Sequence, residues 1–421
     1  MQDGDVAIFA GAKHCVRNHD VDFRFRQQST FWYLTGCPES DAYLILSKGI
    51  EGVPEECLYV LPKDPLQETW HGRRLGAEGA QSKLGFLAAR ENTSFHDDAV
   101  QVISSCKRLW FAVGEGELDA LVEEQIKSLR QKARLGESAP EVLLDPLPVI
   151  SELRLIKSSE EIGLMERAAT ISANAHLLAM SQAKPGMHEY EIEALMHHYY
   201  RAHGCDGDGW AYPSIVASGV NACILHYTEN NVRLNANELI LIDSGAEYST
   251  YGADITRTFP ISNKFTTTQS DIYQVVLNAQ EAVIEASTVG QPFHDGHQLA
   301  TKVLTQGLLD LKILEGSLED CLAQESYKRF TIHNTSHWLG LDVHDCGAYF
   351  IDGVSRPLEP GMVFTVEPGL YFSPDDETIP EHFRGIGVRI EDDILITDAG
   401  PKVLTAEVPK KIEEVEEACG I

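Results

Sequence analysis

The stretch Leu239–Pro260, LILIDSGAEYSTYGADITRTFP, constrains this chain more than any other. Leu239 to Ile242 is short, apolar and rich in isoleucine, the signature of a buried strand, and it ends in Asp243. Gly245, Tyr248, Ser249 and Gly252 read as a turn into a return strand that carries Asp254. Such a hairpin sets two carboxylates side by side. Two ionised carboxylates that close repel, and one takes up a proton unless positive charge lies between them. A divalent cation answers that need, whereas a single aspartate is more often a turn former or a surface charge.

Two further carboxylates sit in strand-like settings. Met362–Gly369 places Glu367 at the end of an apolar strand, and Gly387–Asp393 places Glu391 in a strand with Arg389 on the same face two residues earlier. A glutamate ending a buried strand is costly to leave unpaired. Between these features the segment Phe330–Asp345 carries His333, His337 and His344 among apolar residues and glycine. His197, His198 and His203 are set aside, because consecutive or five-apart positions share no helical face.

Asp243, Asp254, His337, Glu367 and Glu391 thus offer four carboxylates and one imidazole. That donor set suits two divalent ions; manganese, cobalt and zinc are compatible, and oxygen-rich ligation leans to manganese. Two ions roughly 3.5–4 Å apart share a bridging water and yield a hydroxide nucleophile near neutral pH. His226, His333 and His344 would then orient substrate or stabilise an oxyanion.

With 421 residues the chain is long enough for two or three domains. The first third mixes strands (Val6–Phe9, Ala42–Leu46, Cys57–Leu61, Leu109–Val113) with helical patterns near Gly79–Ala89 and Leu118–Lys132, which argues for an α/β domain. The aromatic alternation in Phe23–Gly36 suggests a strand, and Trp70–Gly76 a loop with an exposed tryptophan. Gly136–Pro148, with three prolines, is the linker candidate, giving domains at 1–148 and 149–421. Beyond it, Ser158 or Ser159 caps a long helix to about Gln182, and helices recur at 189–203, 269–287 and 297–311.

A formal net charge of −30 repels nucleic acid and anionic membranes. The acidic start MQDGDVAIFAGAKHC has too short an apolar run for a signal peptide, and no segment approaches the roughly 20 apolar residues of a membrane span. Nine scattered cysteines without a CxxC pair suit a reducing, cytoplasmic setting.

In the stretches Leu225–Asn230, Leu241–Pro260, Ser336–Asp345, Val366–Tyr371 and Arg384–Asp393 the chain resembles aminopeptidase P, the Xaa-Pro aminopeptidases of the pita-bread metallopeptidases. Phe23–Gly36 and Trp70–Gly76 are similar to that family's first domain. The resemblance implies an α/β N-terminal domain with a mixed sheet, followed by an α+β pita-bread catalytic domain. It implies metal ligation by Asp243, Asp254, His337, Glu367 and Glu391, with Glu391 bridging and Glu367 acting as general base. By the same resemblance His226 and His344 contact substrate and the tetrahedral intermediate, while His333, Tyr371 and Arg389 support the site. The expected reaction releases an N-terminal residue from a peptide with proline second. Relatives assemble as dimers or tetramers, in which Trp70, Asp20 and Arg134 would reach a neighbouring pocket; this chain would lack the N-terminal helical extension that some of them carry. A prolidase restricted to dipeptides, or a pita-bread binding protein without catalysis, are the alternatives.

Overall fold

The computed structural model describes residues 1–114 and 116–420 and divides into two compact units, Met1–Ser151 and Glu152–Ile421. In the first unit β1 (Asp5–Ala10) is central. It pairs antiparallel with β2 (Tyr43–Lys48), which pairs antiparallel with β3 (Glu56–Val60), and β3 runs parallel to β4 (Ala89–Glu91). On its other side β1 runs parallel to β5 (Arg108–Trp110), and β5 to β6 (Val142–Leu144), so the six-stranded sheet is mixed. Val6 and Ile8 point to one face, against α1 (Phe95–Ser105) and α2 (Glu117–Gln131). Ala7 and Phe9 point to the other, against Phe31 and Ile150. Burial of both faces explains why the Val6–Phe9 run is continuously apolar rather than alternating.

Three local expectations are corrected here. Phe23–Gly36 does not form a strand: Ser29–Thr35 is helical, capped by the Gln28 side chain accepting from Phe31 N and by Gly36 at φ 59°. Two local caps outweigh the aromatic alternation. Trp70 lies on a short helix, Pro65–His71, that Asp64 caps, rather than in a loop. The segment proposed as a linker contributes β6 and the start of the helix Leu147–Leu155.

The second unit is organised on three antiparallel strands, β7 (Ile215–Ser218), β8 (Leu239–Asp243) and β9 (Thr256–Pro260), with β8 in the middle. Ile240 and Ile242 of β8 pack beneath α3 (Ser159–Gln182) and α4 (Glu189–Ala202). A Ser158–Glu161 capping box starts α3, as its sequence signals. A second sheet joins β10 (Val363–Val366) antiparallel to β13 (Asp392–Thr397) and then β14 (Gly400–Val403). Between them β11 (Gly369–Tyr371) pairs with β12 (Gly387–Arg389). Leu370 and Val388 of this pair pack against α5 (Thr267–Ala286), and Leu304 and Leu308 of α6 (Phe293–Asp310) join the same core.

Candidate active site

Each carboxylate is carried to the site by the end of a strand. Asp243 is the last residue of β8 and stands opposite Thr256 in the β8–β9 register. Asp254 lies just before β9 rather than within it, after a small two-residue hairpin closes at Tyr248–Tyr251. Gly245 makes the approach possible: a Cβ there would meet Ala253 O at 1.6 Å. No larger residue allows the two arms to close this tightly. Glu367 follows β10, and Glu391 falls between β12 and β13.

These groups converge. His337 Nε2 is 3.5 Å from Asp254 Oδ2 and 3.4 Å from Glu367 Oε1. Ligand atoms of Asp254, His337 and Glu391 all lie within 4.8 Å of one another. His337 Nδ1 bonds Trp338 O at 3.0 Å, which orients the ring with Nε2 facing the carboxylates. Arg389 donates from Nη2 to Asp243 at 2.7 Å and from Nη1 to Tyr371 Oη at 2.9 Å. Tyr371 Oη in turn meets His333 Nε2 at 2.8 Å. The His344 ring stands 4.4 Å from that of His337, edge to face. His226 and His344 line a cavity of about 960 Å³ whose wall also includes Asp243, Asp254, Glu367 and Glu391. All ten residues expected at the site therefore border one space or its support.

Sequence reasoning missed several groups. Tyr212 Oη lies 2.7 Å from Asp243 Oδ1 and 2.5 Å from Asp254 Oδ1, a single hydroxyl spanning both carboxylates. Its place depends on a loop closing over the site, and nothing in its neighbours marks it. Thr256 Oγ1 donates to Glu391 at 2.6 Å and accepts from Arg389 Nε at 3.1 Å. Its position two residues after Asp254 in a strand approach is the signal that was available. Behind Glu391, Asp392 accepts from Arg257, Thr405, Gln280 and Lys410, each at 2.7 Å. His197, by contrast, bonds Ser214 Oγ at 2.9 Å and stands outside the cluster.

The electrostatics show what the cluster lacks. Burial pushes the Glu367 carboxyl up to about 7, with His337 and Arg389 opposing and Asp254 and Asp243 reinforcing. Burial followed by the charges of Asp254, Glu367 and Asp243 raises Glu391 well above the usual range. Burial lowers the His337 pKa, yet Asp254 and Glu367 carry it up to about 9. Arg389 and His337 are two cations against four acids, Asp243, Asp254, Glu367 and Glu391. The residues fit divalent cations: hard oxygen donors, an oriented imidazole nitrogen, and excess buried negative charge. Such a cluster in the wall of a peptide-sized cavity defines a metal-dependent hydrolase.

Comparison with known proteins narrows the class. Residues 163–398 match the model of metallopeptidase family M24, and residues 1–110 that of the aminopeptidase P N-terminal domain. The Xaa-Pro aminopeptidase of Escherichia coli K12 is 43% identical over 417 residues, covering 99% of this chain and 94% of the relative. Human Xaa-Pro aminopeptidase 3 is 32% identical, covering 99% and 81%. Among solved structures, Pseudomonas aeruginosa aminopeptidase PepP superposes with a TM-score of 0.96 at 40% identity, covering 100% of this chain and 95% of that one. E. coli aminopeptidase P with the inhibitor Pro-Leu gives 0.95 at 42% identity, with the same coverage. The chain belongs to metallopeptidase family M24 and, within it, to aminopeptidase P. Its fold is accordingly a mixed-sheet α/β domain followed by a pita-bread domain.

Proposed function

We propose that the protein hydrolyses the bond between the N-terminal residue of a peptide and a following proline. The observation that carries this reading is the convergence of Asp254, His337 and Glu391 with Asp243 and Glu367 in one cavity. Asp243, Asp254, His337, Glu367 and Glu391 would hold two divalent ions, and their oxygen-rich set favours manganese over zinc or cobalt. Bound there, the ions supply Lewis acidity toward water and the scissile carbonyl.

The chain's own residues do the rest. Glu367 Oε1 and Oε2, beside His337 and His333, take the proton from the attacking water. His344 and His226, on the cavity wall, oppose the negative charge that grows on the carbonyl oxygen. The Arg389–Tyr371–His333 chain fixes these groups against one another. Proline's tertiary amide has no N–H, so peptidases that require that donor fail on this bond.

A cavity of about 960 Å³ exceeds what a dipeptide fills and supports longer substrates over a prolidase activity. Trp70, 77% exposed on the first unit, and the exposed Asp20 and Arg134 suit contact with a neighbouring subunit in a dimer or tetramer. Nine cysteines without a disulfide suit a reducing cytoplasm. No helix among the described residues is long and apolar enough to cross a membrane. Turnover of Arg-Pro-Pro against Gly-Pro by the manganese-loaded protein tests the reading. Cleavage of the tripeptide supports it, and cleavage of the dipeptide alone would replace it with a prolidase.

A further inference from the structure

We propose that Phe350 is a specificity determinant that receives the side chain of the third substrate residue, the one after proline, and selects for an apolar residue there; this deepens the aminopeptidase reading above and rests on it.

Phe350 begins a two-stranded hairpin in which Phe350 pairs with Ser355 and Ile351 with Val354. Asp352 at φ 51° and Gly353 at φ 79° form its tight turn, both in the left-handed region that two-residue hairpin turns require. A free hairpin of this size is not stable in water. This one is tied down at its base. Ser355 Oγ accepts from His294 N at 2.9 Å, Arg356 N bonds Tyr349 O at 2.9 Å, and Arg356 O accepts from Phe293 N at 2.8 Å. Beneath it, Trp338 is fully buried and stacks on Tyr349 at 5.3 Å, with the Phe293 ring 4.3 Å from Trp338 and 5.1 Å from Tyr349. The result is an aromatic base, Phe293 and Tyr349, that itself lines the active-site cavity and carries Phe350 as its exposed ring at the wall.

That ring is 53% exposed. A large apolar side chain held on a fixed base at the wall of a catalytic cavity, rather than tucked into the core, is a ready contact surface. The direction of the peptide decides which substrate residue meets it. The scissile bond belongs at the buried cluster, where Asp254 and Glu391 are 4% and 2% exposed, and an aminopeptidase leaves only one residue on the amino side of that bond. The chain then runs from amino end to carboxyl end toward the mouth, so the ring at the mouth meets the residue on the carboxyl side of proline.

Initial rates on Ala-Pro-Leu-amide, Ala-Pro-Ser-amide and Leu-Pro-Ser-amide test this in the metal-loaded wild type, Phe350→Ser and Phe350→Leu. Wild type is expected to favour leucine over serine at the third position by about tenfold in kcat/KM. Phe350→Ser should bring that ratio near one, Phe350→Leu should largely restore it, and the Leu/Ala ratio at the first position should keep its wild-type value. A wild-type third-position ratio near one overturns the proposal, as does a ratio that Phe350→Ser leaves unchanged or a loss of first-position selectivity instead. A Phe350→Ser protein that elutes as a smaller assembly with its ratio intact would assign the ring to a subunit contact and likewise overturn it. Failure to cleave any of the three peptides, with Gly-Pro hydrolysed or not, would sink the aminopeptidase reading itself.

Discussion

Asp254 Oδ2 stands 3.5 Å from His337 Nε2, although 83 positions separate the two residues in the chain. Too long for a strong hydrogen bond, the gap suits two ligands of a common cation. Asp254→Ala should therefore lose bound metal and at least 99% of activity, on the scale of about two orders of magnitude or more, while far-UV circular dichroism stays unchanged. Elemental analysis beside a peptide assay checks it.

Tyr212 hydrogen-bonds both Asp243 and Asp254 through one hydroxyl. Removing that group in Tyr212→Phe keeps the ring and its packing but frees the two carboxylates to turn. Metal affinity or activity should fall about 10- to 100-fold, the range for such supporting partners. A metal titration with a competing chelator reads this directly, and unchanged affinity would reduce Tyr212 to packing.

His344 faces His337 across 4.4 Å and is assigned to substrate rather than to metal. His344→Ala should slow kcat by about 10²–10³-fold, as loss of an oxyanion donor does, with full metal content. Loss of metal in that variant would show that ligand and substrate roles had been exchanged.

The burial and crowding that raise Glu391 and Glu367 make the metal-free cluster a destabilising feature. Chelation should lower Tm, since metal binds the folded chain preferentially. In the chelated state Glu391→Gln should melt above wild type, and with metal restored the order should reverse. Differential scanning calorimetry of the four samples decides it.

Asp392 behaves oppositely. Burial would raise its pKa, but Arg257 and Lys410 hold it down to about 2. An unfolded aspartate titrates near ~3.9, so the stability from this network is present above about pH 4 and is lost as pH falls through about 2. Arg257→Met strands a buried carboxylate and should cost about 3–5 kcal/mol at neutral pH. It should also flatten the acid limb of a urea-melt series taken between pH 5 and 2.

The proposed donors leave a local trace in the sequence: Asp243 and Glu367 each close an apolar strand pattern, and Glu391 lies beside Arg389 in a strand-like run. His337 separates from His197 and His203 because it shares an apolar, glycine-containing segment with His333 and His344, while those two stand at a spacing that shares no helical face. Tyr212 was illegible because its function is created by tertiary closure. The helix Ser29–Thr35 is hidden in the sequence because five aromatics among the fourteen residues Phe23–Gly36 imitate alternation, and the caps at Gln28 and Gly36 that decide the matter are short-range and weak in isolation. Gly136–Pro148 looked like a linker because prolines and glycine punctuate it, yet a three-residue edge strand needs few backbone donors.

The most direct test is an anomalous diffraction map from a crystal of the protein soaked in manganese. Two peaks among Asp243, Asp254, His337, Glu367 and Glu391 are expected, with His226, His333 and His344 outside the coordination shell. No peak there, or a peak held by other residues, would contradict the account.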